Sequence, residues 1–328
     1  MQRKFQIAAL ISAIIVCVLT PLILKPFLYA QAEEIKIEPY FKDVQEGYPY
    51  YTAIQYLKSE ELIDDKDENF NPDAQISRAE AVNYILRVTL GYVPDEKPTI
   101  KPFSDVPLES INAMYVQKAK ELKLVNGYNA RRFQPNKKIS LAEAIKIVLE
   151  TDKLIDGTMV FEQPTEDVFA DVPKNAWFSS YAKIAKQRRI IRFGQADEMS
   201  PSDLISKGYL MDILYRAKKY HAGYTFGIAS FYDKKFEGRK TSSGEIFTHA
   251  NLTAAHKTLK FGTRLKITNL KNSKSVEVTV NDRGPYTKNF EIDLSESAFT
   301  MIGEKSNGII PVQIEILPEQ TGSEANGL

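Results

Sequence analysis

Apolar positions change their spacing partway along the chain, from every third or fourth residue to every second. Between residues 41 and 220, stripes such as Tyr51, Ile54 and Leu57, and later Ala182 and Ala185, keep apolar side chains on one helical face. From about Tyr224 the segments Arg264-Leu265-Lys266-Ile267-Thr268, Val276-Glu277-Val278-Thr279-Val280 and Val312-Gln313-Ile314-Glu315-Ile316 alternate as half-buried strands do. Asn272-Ser273 sits at a hairpin turn between the first two, and a short helix is predicted from about Ser295 to Ile302, ended by Gly303. Several short strands in so short a segment predict a small closed barrel. The chain therefore reads as a multidomain α + β protein, an all-α part followed by an all-β part.

The helical part repeats itself. Phe41-x-Asp43-Val44 recurs as Phe103-x-Asp105-Val106 and Phe169-x-Asp171-Val172. A second element with constant internal spacing, from a large apolar residue through x-Pro to Ile-Ser, spans Phe70 to Ser77, Phe133 to Ser140 and Met199 to Ser206. Ser77-Arg78-Ala79-Glu80 and Ser140-Leu141-Ala142-Glu143 are capping boxes, opening helices over Ala81 to Leu90 and Ala144 to Leu149. One helix-loop-helix unit cannot bury its own apolar stripe, so three must share a core. Amphipathic spacing assigns Phe41, Phe103, Phe169 and the helix leucines to that core. Asp43, Asp105 and Asp171 precede Val at turns, where a capping or turn role outranks ligand binding. Arg78 and Lys207 are left for function to explain. Trp177, the sole tryptophan, suits a sugar-stacking platform and a partly buried helix start equally.

This repeat resembles the S-layer homology repeat, with Phe-x-Asp-Val early and Ser/Thr-Arg-Ala-Glu late. The resemblance covers about residues 41 to 220 and implies non-covalent attachment to the secondary polysaccharide of a bacterial cell wall. It also implies that a basic residue of the late motif takes acidic saccharide groups. The cation is Arg78 in repeat 1, is replaced by Leu141 in repeat 2, and is Lys207 in repeat 3, which also lacks the glutamate. The boundaries are 33–95, 96–160 and 161–222.

Composition narrows the chemistry. With 43 Lys+Arg against 42 Asp+Glu the formal net charge is +1, which argues against nucleic acid as a partner. At 43% hydrophobic and 26% charged residues the chain is globular, not disordered or coiled coil. Residues 1–32 carry Arg3 and Lys4, an apolar run from Ile7 to Leu24, and Ala30-Gln31-Ala32 ahead of Glu33-Glu34. That is the build of a secretory signal peptide, the rival being an uncleaved anchor, in which case alone a membrane is a partner. Cys17 lies inside this run, so its removal takes thiol chemistry with it. His221, His249 and His256 are dispersed with no His-x-x-x-His spacing, which argues against a metal site, and no cofactor is implied. Residues 319–328 are polar and follow Pro318, as a frayed tail would.

The strand-rich segment, residues 223–318, carries the candidate chemistry. Asn281-Asp282-Arg283-Gly284-Pro285 puts an acid and a base at a strand end, Asp293 follows in Ile292-Asp293-Leu294-Ser295, Glu245 follows Gly244, and His256 ends Leu252-Thr253-Ala254-Ala255-His256. Together with Gly227 to Tyr232, Gly238 to Glu245 and Phe261-Gly262-Thr263, these motifs are similar, in order, to the RlpA-like double-psi β-barrel, a six-stranded fold. The resemblance implies a lytic transglycosylase acting on peptidoglycan glycan strands that lack stem peptides, related distantly to expansins. It places Asp293 at the principal acid, Asp282 at the companion acid, and Glu245 and His256 at matching polar positions. It departs at Thr248, where the family usually carries aspartate.

Cleaving a glycosidic bond needs an acid for the leaving oxygen and then a base, and one carboxyl serves both when the attacking hydroxyl belongs to the substrate. The expected assignment is Asp293 in that role, Asp282 raising its pKa by like charge, and Arg283, His256 and Tyr232 around the substrate. Structural alternatives stand beside it: an Asp282-Arg283 ion pair at the turn, a satisfied buried His256, Asp293 as a helix cap. A secreted, wall-anchored transglycosylase is the leading expectation, and an expansin-like module that only grips or loosens glycan is the second.

Overall fold

The computed structural model describes residues 38–128, 131–192 and 197–318. The signal-peptide reading of residues 1–32 and the tail at 319–328 lie outside the described residues. Each repeat folds around two helices: α1 (Tyr51–Ser59) and α2 (Arg78–Leu90), α3 (Ile111–Glu121) and α4 (Leu141–Asp152), α5 (Ser179–Gln187) and α6 (Lys207–His221). Both capping boxes form in full, Ser77 with Glu80 and Ser140 with Glu143. Their helices begin right after the serine, three residues earlier than the apolar stripe predicts, because the cap's first turn is already helical. Ser206 caps α6 through the Tyr209 N–H alone, since Tyr209 stands where the glutamate would.

The early aspartates build turns. Asp43 accepts the N–H groups of Phe70 and Asn71 at 2.8 and 2.7 Å, Asp105 those of Phe133 and Gln134 at 2.8 and 2.9 Å, Asp171 those of Met199 and Ser200 at 2.9 and 2.7 Å. The second residue of each pair is left-handed, with φ of 56°, 58° and 57°. Two charge-assisted bonds hold a backbone conformation that a side-chain-bearing residue rarely adopts.

The repeats close on one another. Ile76 N–H donates to Ile205 O, Ile205 N–H to Ile139 O and Ile139 N–H to Ile76 O, at 3.2, 3.1 and 3.2 Å. The late elements thus form a three-membered ring, around which Phe41, Phe70, Phe133 and Phe169 are buried in one core with the helix leucines and isoleucines.

Six strands form a closed barrel in the order β1-β5-β2-β4-β3-β6. They are β1 (Thr225–Phe231), β2 (Thr253–His256), β3 (Arg264–Asn269), β4 (Ser275–Asp282), β5 (Ile292–Leu294) and β6 (Ile310–Ile316), and α7 (Glu296–Ile302) follows β5. The three long alternating segments are β3, β4 and β6, while β2 and β5 have only four and three residues, too few for a period to register. Ala229, Ala254, Val276, Val278, Val280, Ile292 and Leu294 fill the interior with Phe299 and Ile302 of α7.

Helices and barrel share a small core of their own, Ala53, Tyr215, Phe226 and Leu270. Gly47 and Thr52 N–H groups donate to Lys271 O and Leu270 O at 2.8 and 3.3 Å, and the Tyr215 hydroxyl donates to Gln313. Among the described residues, the helices and the barrel belong to one compact unit.

Candidate active site

Strand register assembles the site. On β5 the alternation is inward Ile292, half-exposed Asp293, inward Leu294. Asp293 pairs with Ser230 of β1 on one side and with Ala255 of β2 on the other, and Ala255 pairs in turn with Asp282 of β4. Paired residues on neighbouring strands point the same way, so Ser230, Asp293, Ala255 and Asp282 form one row on the outer face of the barrel. Strands lie about 4.8 Å apart, which puts the two acidic residues about 10 Å apart at the backbone with only an alanine between them.

A bulge makes this possible. Val276, Val278 and Val280 point inward, and a regular strand would send Asp282 inward with them. Ala254 pairs with Val280 but Ala255 pairs with Asp282, leaving Asn281 as an extra residue. The bulge reverses the alternation and turns Asp282 out onto the row.

Their surroundings shift the two carboxyls in opposite directions. Burial works against the charge of Asp282, but the Ser242 N–H at 2.8 Å, the Tyr232 hydroxyl at 2.8 Å and the Arg283 N–H at 2.8 Å outweigh it and keep its pKa below the usual range. Asp293 is pushed above that range by burial, with the Ser230 hydroxyl opposing the shift and the Asp282 charge adding to it. Of two carboxyls shifted apart in this way, the raised one is the better proton donor and the lowered one the more persistent anion. Burial and Asp282 also push the Tyr232 phenol far up, so it stays a donor, its ring 4.4 Å from that of Phe247. Gly284 has φ of +142°, and a Cβ there would lie 3.8 Å from Asp293 Oδ2. Glycine leaves the approach to Asp293 open.

The other expected residues are placed unequally. Glu245 is exposed on a loop and accepts from Asn281 Nδ2 at 2.9 Å, next to the bulge. His256 follows Ala255 and so lies on the opposite side of β2 from the row; its Nδ1 accepts the N–H groups of Thr258 and Leu259 at 3.3 and 3.1 Å, and its Nε2 is 3.7 Å from Glu291 Oε1. The Arg283 guanidinium donates to Leu259 O at 2.8 Å and His256 O at 3.3 Å, with its centre 3.8 Å from the Phe261 ring centroid. Asp282 is therefore held by amides and a phenol, and Arg283 by carbonyls, which replaces the turn ion pair considered above. Asp293 is a strand residue, and the α7 cap is Ser295. Ser230 and Ser242 were not singled out by sequence, nor was Tyr286, 87% exposed two residues beyond Gly284; Ser230 and Ser242 lie inside motifs whose acids drew the attention.

The cations of the repeats are not free on the surface, which corrects the reading that only function explains them. Arg78 is 8% exposed: its guanidinium is 5.0 Å from the Tyr128 ring and 4.8 Å from the Phe133 ring, and it donates to Asn126 O at 3.3 Å. Lys207 donates to Asp65 and to Phe70 O and lies 3.9 Å from the Phe70 ring. Each late-motif residue enters a junction between repeats, Arg78 against repeat 2 and Lys207 against repeat 1, while the Leu141 N–H donates to Asp203 O of repeat 3 at 2.9 Å. Trp177 is 60% exposed beside Phe178.

Residues 224–314 match the family model described as lytic transglycolase, and residues 40–82 and 102–145 match the S-layer homology domain. A Campylobacter jejuni protein named endolytic peptidoglycan transglycosylase RlpA is 42% identical over 135 residues, 39% of this chain and 49% of that one. Synechocystis and Nostoc proteins named probable endolytic peptidoglycan transglycosylase RlpA are 53% and 50% identical, each over 28% of this chain and over 28% and 25% of their own length. The chain spans half or less of these curated relatives. Its barrel is of the lytic transglycosylase type, and its helical half carries S-layer homology repeats.

Proposed function

We propose that the barrel, residues 223–318, is a lytic transglycosylase of peptidoglycan glycan strands and that the repeats in residues 33–222 hold it at the secondary polysaccharide of a bacterial cell wall. The observation that carries this reading is the row in which a high-pKa Asp293 and a low-pKa Asp282 share one outward face. Asp293 donates its proton to the glycosidic oxygen as the bond to the muramyl anomeric carbon breaks. The resulting carboxylate takes the proton of the muramyl C6 hydroxyl, whose oxygen bonds to that same carbon. The products are a free hydroxyl on the departing strand and a 1,6-anhydromuramyl end, with Asp293 protonated again and no water consumed. Asp282 remains an anion throughout and offsets the positive charge that develops at the anomeric carbon. Tyr286 and the Phe261-Arg283 stack flank the row as sugar-binding surfaces. Retention at the wall raises the local concentration of a polymeric substrate, which compensates for weak intrinsic binding.

Asp293→Asn tests the assignment: it is expected to abolish anhydromuramyl ends from denuded glycan while purified walls still sediment the protein. Undiminished turnover would refute it. The second reading, an expansin-like module that binds glycan without cleaving it, is favoured by Thr248 and predicts sedimentation with no new ends from the native protein.

A further inference from the structure

The nine residues between Asp282 and β5, 283–291, form the loop that joins the two acids, and the third helical repeat grips it. Lys288 pairs with Asp197 at 3.2 Å, on an exposed lysine where such a pair contributes little. Arg189 Nη2 meets Glu291 Oε2 at 2.7 Å, with both side chains mostly covered, at 25% and 18% exposure. The other oxygen of Glu291 faces His256 Nε2 at 3.7 Å. The stem of Glu291 has one place to go: a Cβ on Gly227 of β1 would sit 2.3 Å from Glu291 Cβ, and the Glu291 N–H donates to Ile228 O at 3.0 Å. Glu291 is therefore wedged flat on β1 two residues before Asp293, its carboxylate shared between a helical-repeat arginine and the barrel histidine. That histidine's carbonyl in turn accepts from Arg283, next to Asp282.

We propose that Arg189, a residue of the third helical repeat, is a positioning residue for the barrel's carboxylate pair, acting through Glu291 on the start of β5 and on the His256 ring. The inference rests on the transglycosylase reading for its kinetic consequence alone. It gives the repeats a second task besides attachment: the acid that breaks the glycan is oriented from the part of the molecule that holds the wall. The groups facing Glu291 are Arg189 from the helical part and His256 and Lys257 from the end of β2. Burial raises its pKa, while the nearby His256 ring and the Arg189 charge outweigh that and hold the carboxyl below its usual range.

The test uses the full chain with Arg189→Ala, Arg189→Lys and Glu291→Gln, read by carboxyl and imidazole NMR and by kcat and KM on denuded glycan. Arg189→Ala is expected to move the Glu291 titration to higher pH, to shift the His256 ring and Asp293 carboxyl resonances, and to lower kcat about ten- to a hundredfold with KM within about twofold, as misplacement of a reacting group does. Arg189→Lys is expected to restore the resonances and most of kcat, and Glu291→Gln to reproduce the alanine variant in a chain whose packing on Gly227 is preserved. His256 and Asp293 resonances that are identical in Arg189→Ala and the native protein would overturn the proposal, as would an unchanged kcat. If the native protein forms no anhydromuramyl ends, the transglycosylase reading fails by itself, and the resonances still decide whether Arg189 positions the pair.

Discussion

At the scale of single residues, the site works because two aspartates of one barrel face differ in what surrounds them. Asp282 receives N–H and O–H donors, and Asp293 receives burial, one serine and the repulsion of its neighbour. The sign of each contact predicts the pH profile. Loss of the acid form of Asp293 sets the alkaline limb of kcat/KM. Asp282→Asn removes a like charge, so the Asp293 pKa falls and the limb moves to lower pH, in addition to any loss of rate. Ser230→Ala removes a bond that favours the ionised form, so the limb moves to higher pH. Limbs that move the other way would show that a different group sets the profile. Sequence named both acids, Asp282 as an acid at a strand end before turn formers and Asp293 through the resemblance to the double-psi barrel, yet it could not orient them. The outward turn of Asp282 depends on the bulge at Asn281, and a bulge has no residue signature when the strand before it, Val276 to Val280, alternates regularly.

Among elements, the repeats were legible and the short strands were not. Three copies of one spacing and two complete capping boxes predict helices α2 and α4, whereas β2 and β5 are shorter than one clear alternation. What sequence could not supply is which repeat lies beside which, and so the Arg78 and Lys207 side chains had no visible partners until the ring closed. Ser140→Ala is expected to cost about 1 kcal/mol in chemical denaturation by removing the α4 cap, with glycan cleavage per folded molecule unchanged. Gly227→Ala is expected to cost about 1–3 kcal/mol, since the new methyl overlaps the Cβ of Glu291, which lies against the strand. A melting curve indistinguishable from native for the latter would mean that Glu291 does not lie on β1.

In the whole molecule, helices and barrel belong to one compact unit, and a buried charge cluster ties the third repeat to the first beside it. Asp212, 1% exposed, takes two bonds from Arg192 at 2.7 and 2.9 Å and one from Arg216 at 2.9 Å; Arg192 also donates to Pro49 O in the first repeat, and Arg216 to Arg189 O. Burial alone would raise the pKa of Asp212, but the two guanidinium charges hold it below its usual range. Asp212→Asn leaves two guanidinium groups without a counter-charge and is expected to cost about 3–5 kcal/mol at neutral pH. Because the folded pKa lies below the unfolded value of about 3.9, that stability is complete above it and is lost only as the native protein is acidified through the folded pKa. The division into a helical and a strand-rich half was plain from periodicity, but their shared core was not, since Ala53, Tyr215, Phe226 and Leu270 fit equally well inside either half. A site-resolved carboxyl NMR titration of the native chain shows directly whether one outward face holds two carboxyls shifted in opposite directions, Asp293 up and Asp282 down. Asp293 is expected to take up its proton above the ordinary aspartate range and Asp282 below it, with the Asp293 midpoint dropping in Asp282→Asn. Two midpoints at the ordinary value, or an Asp293 midpoint indifferent to Asp282, would contradict it.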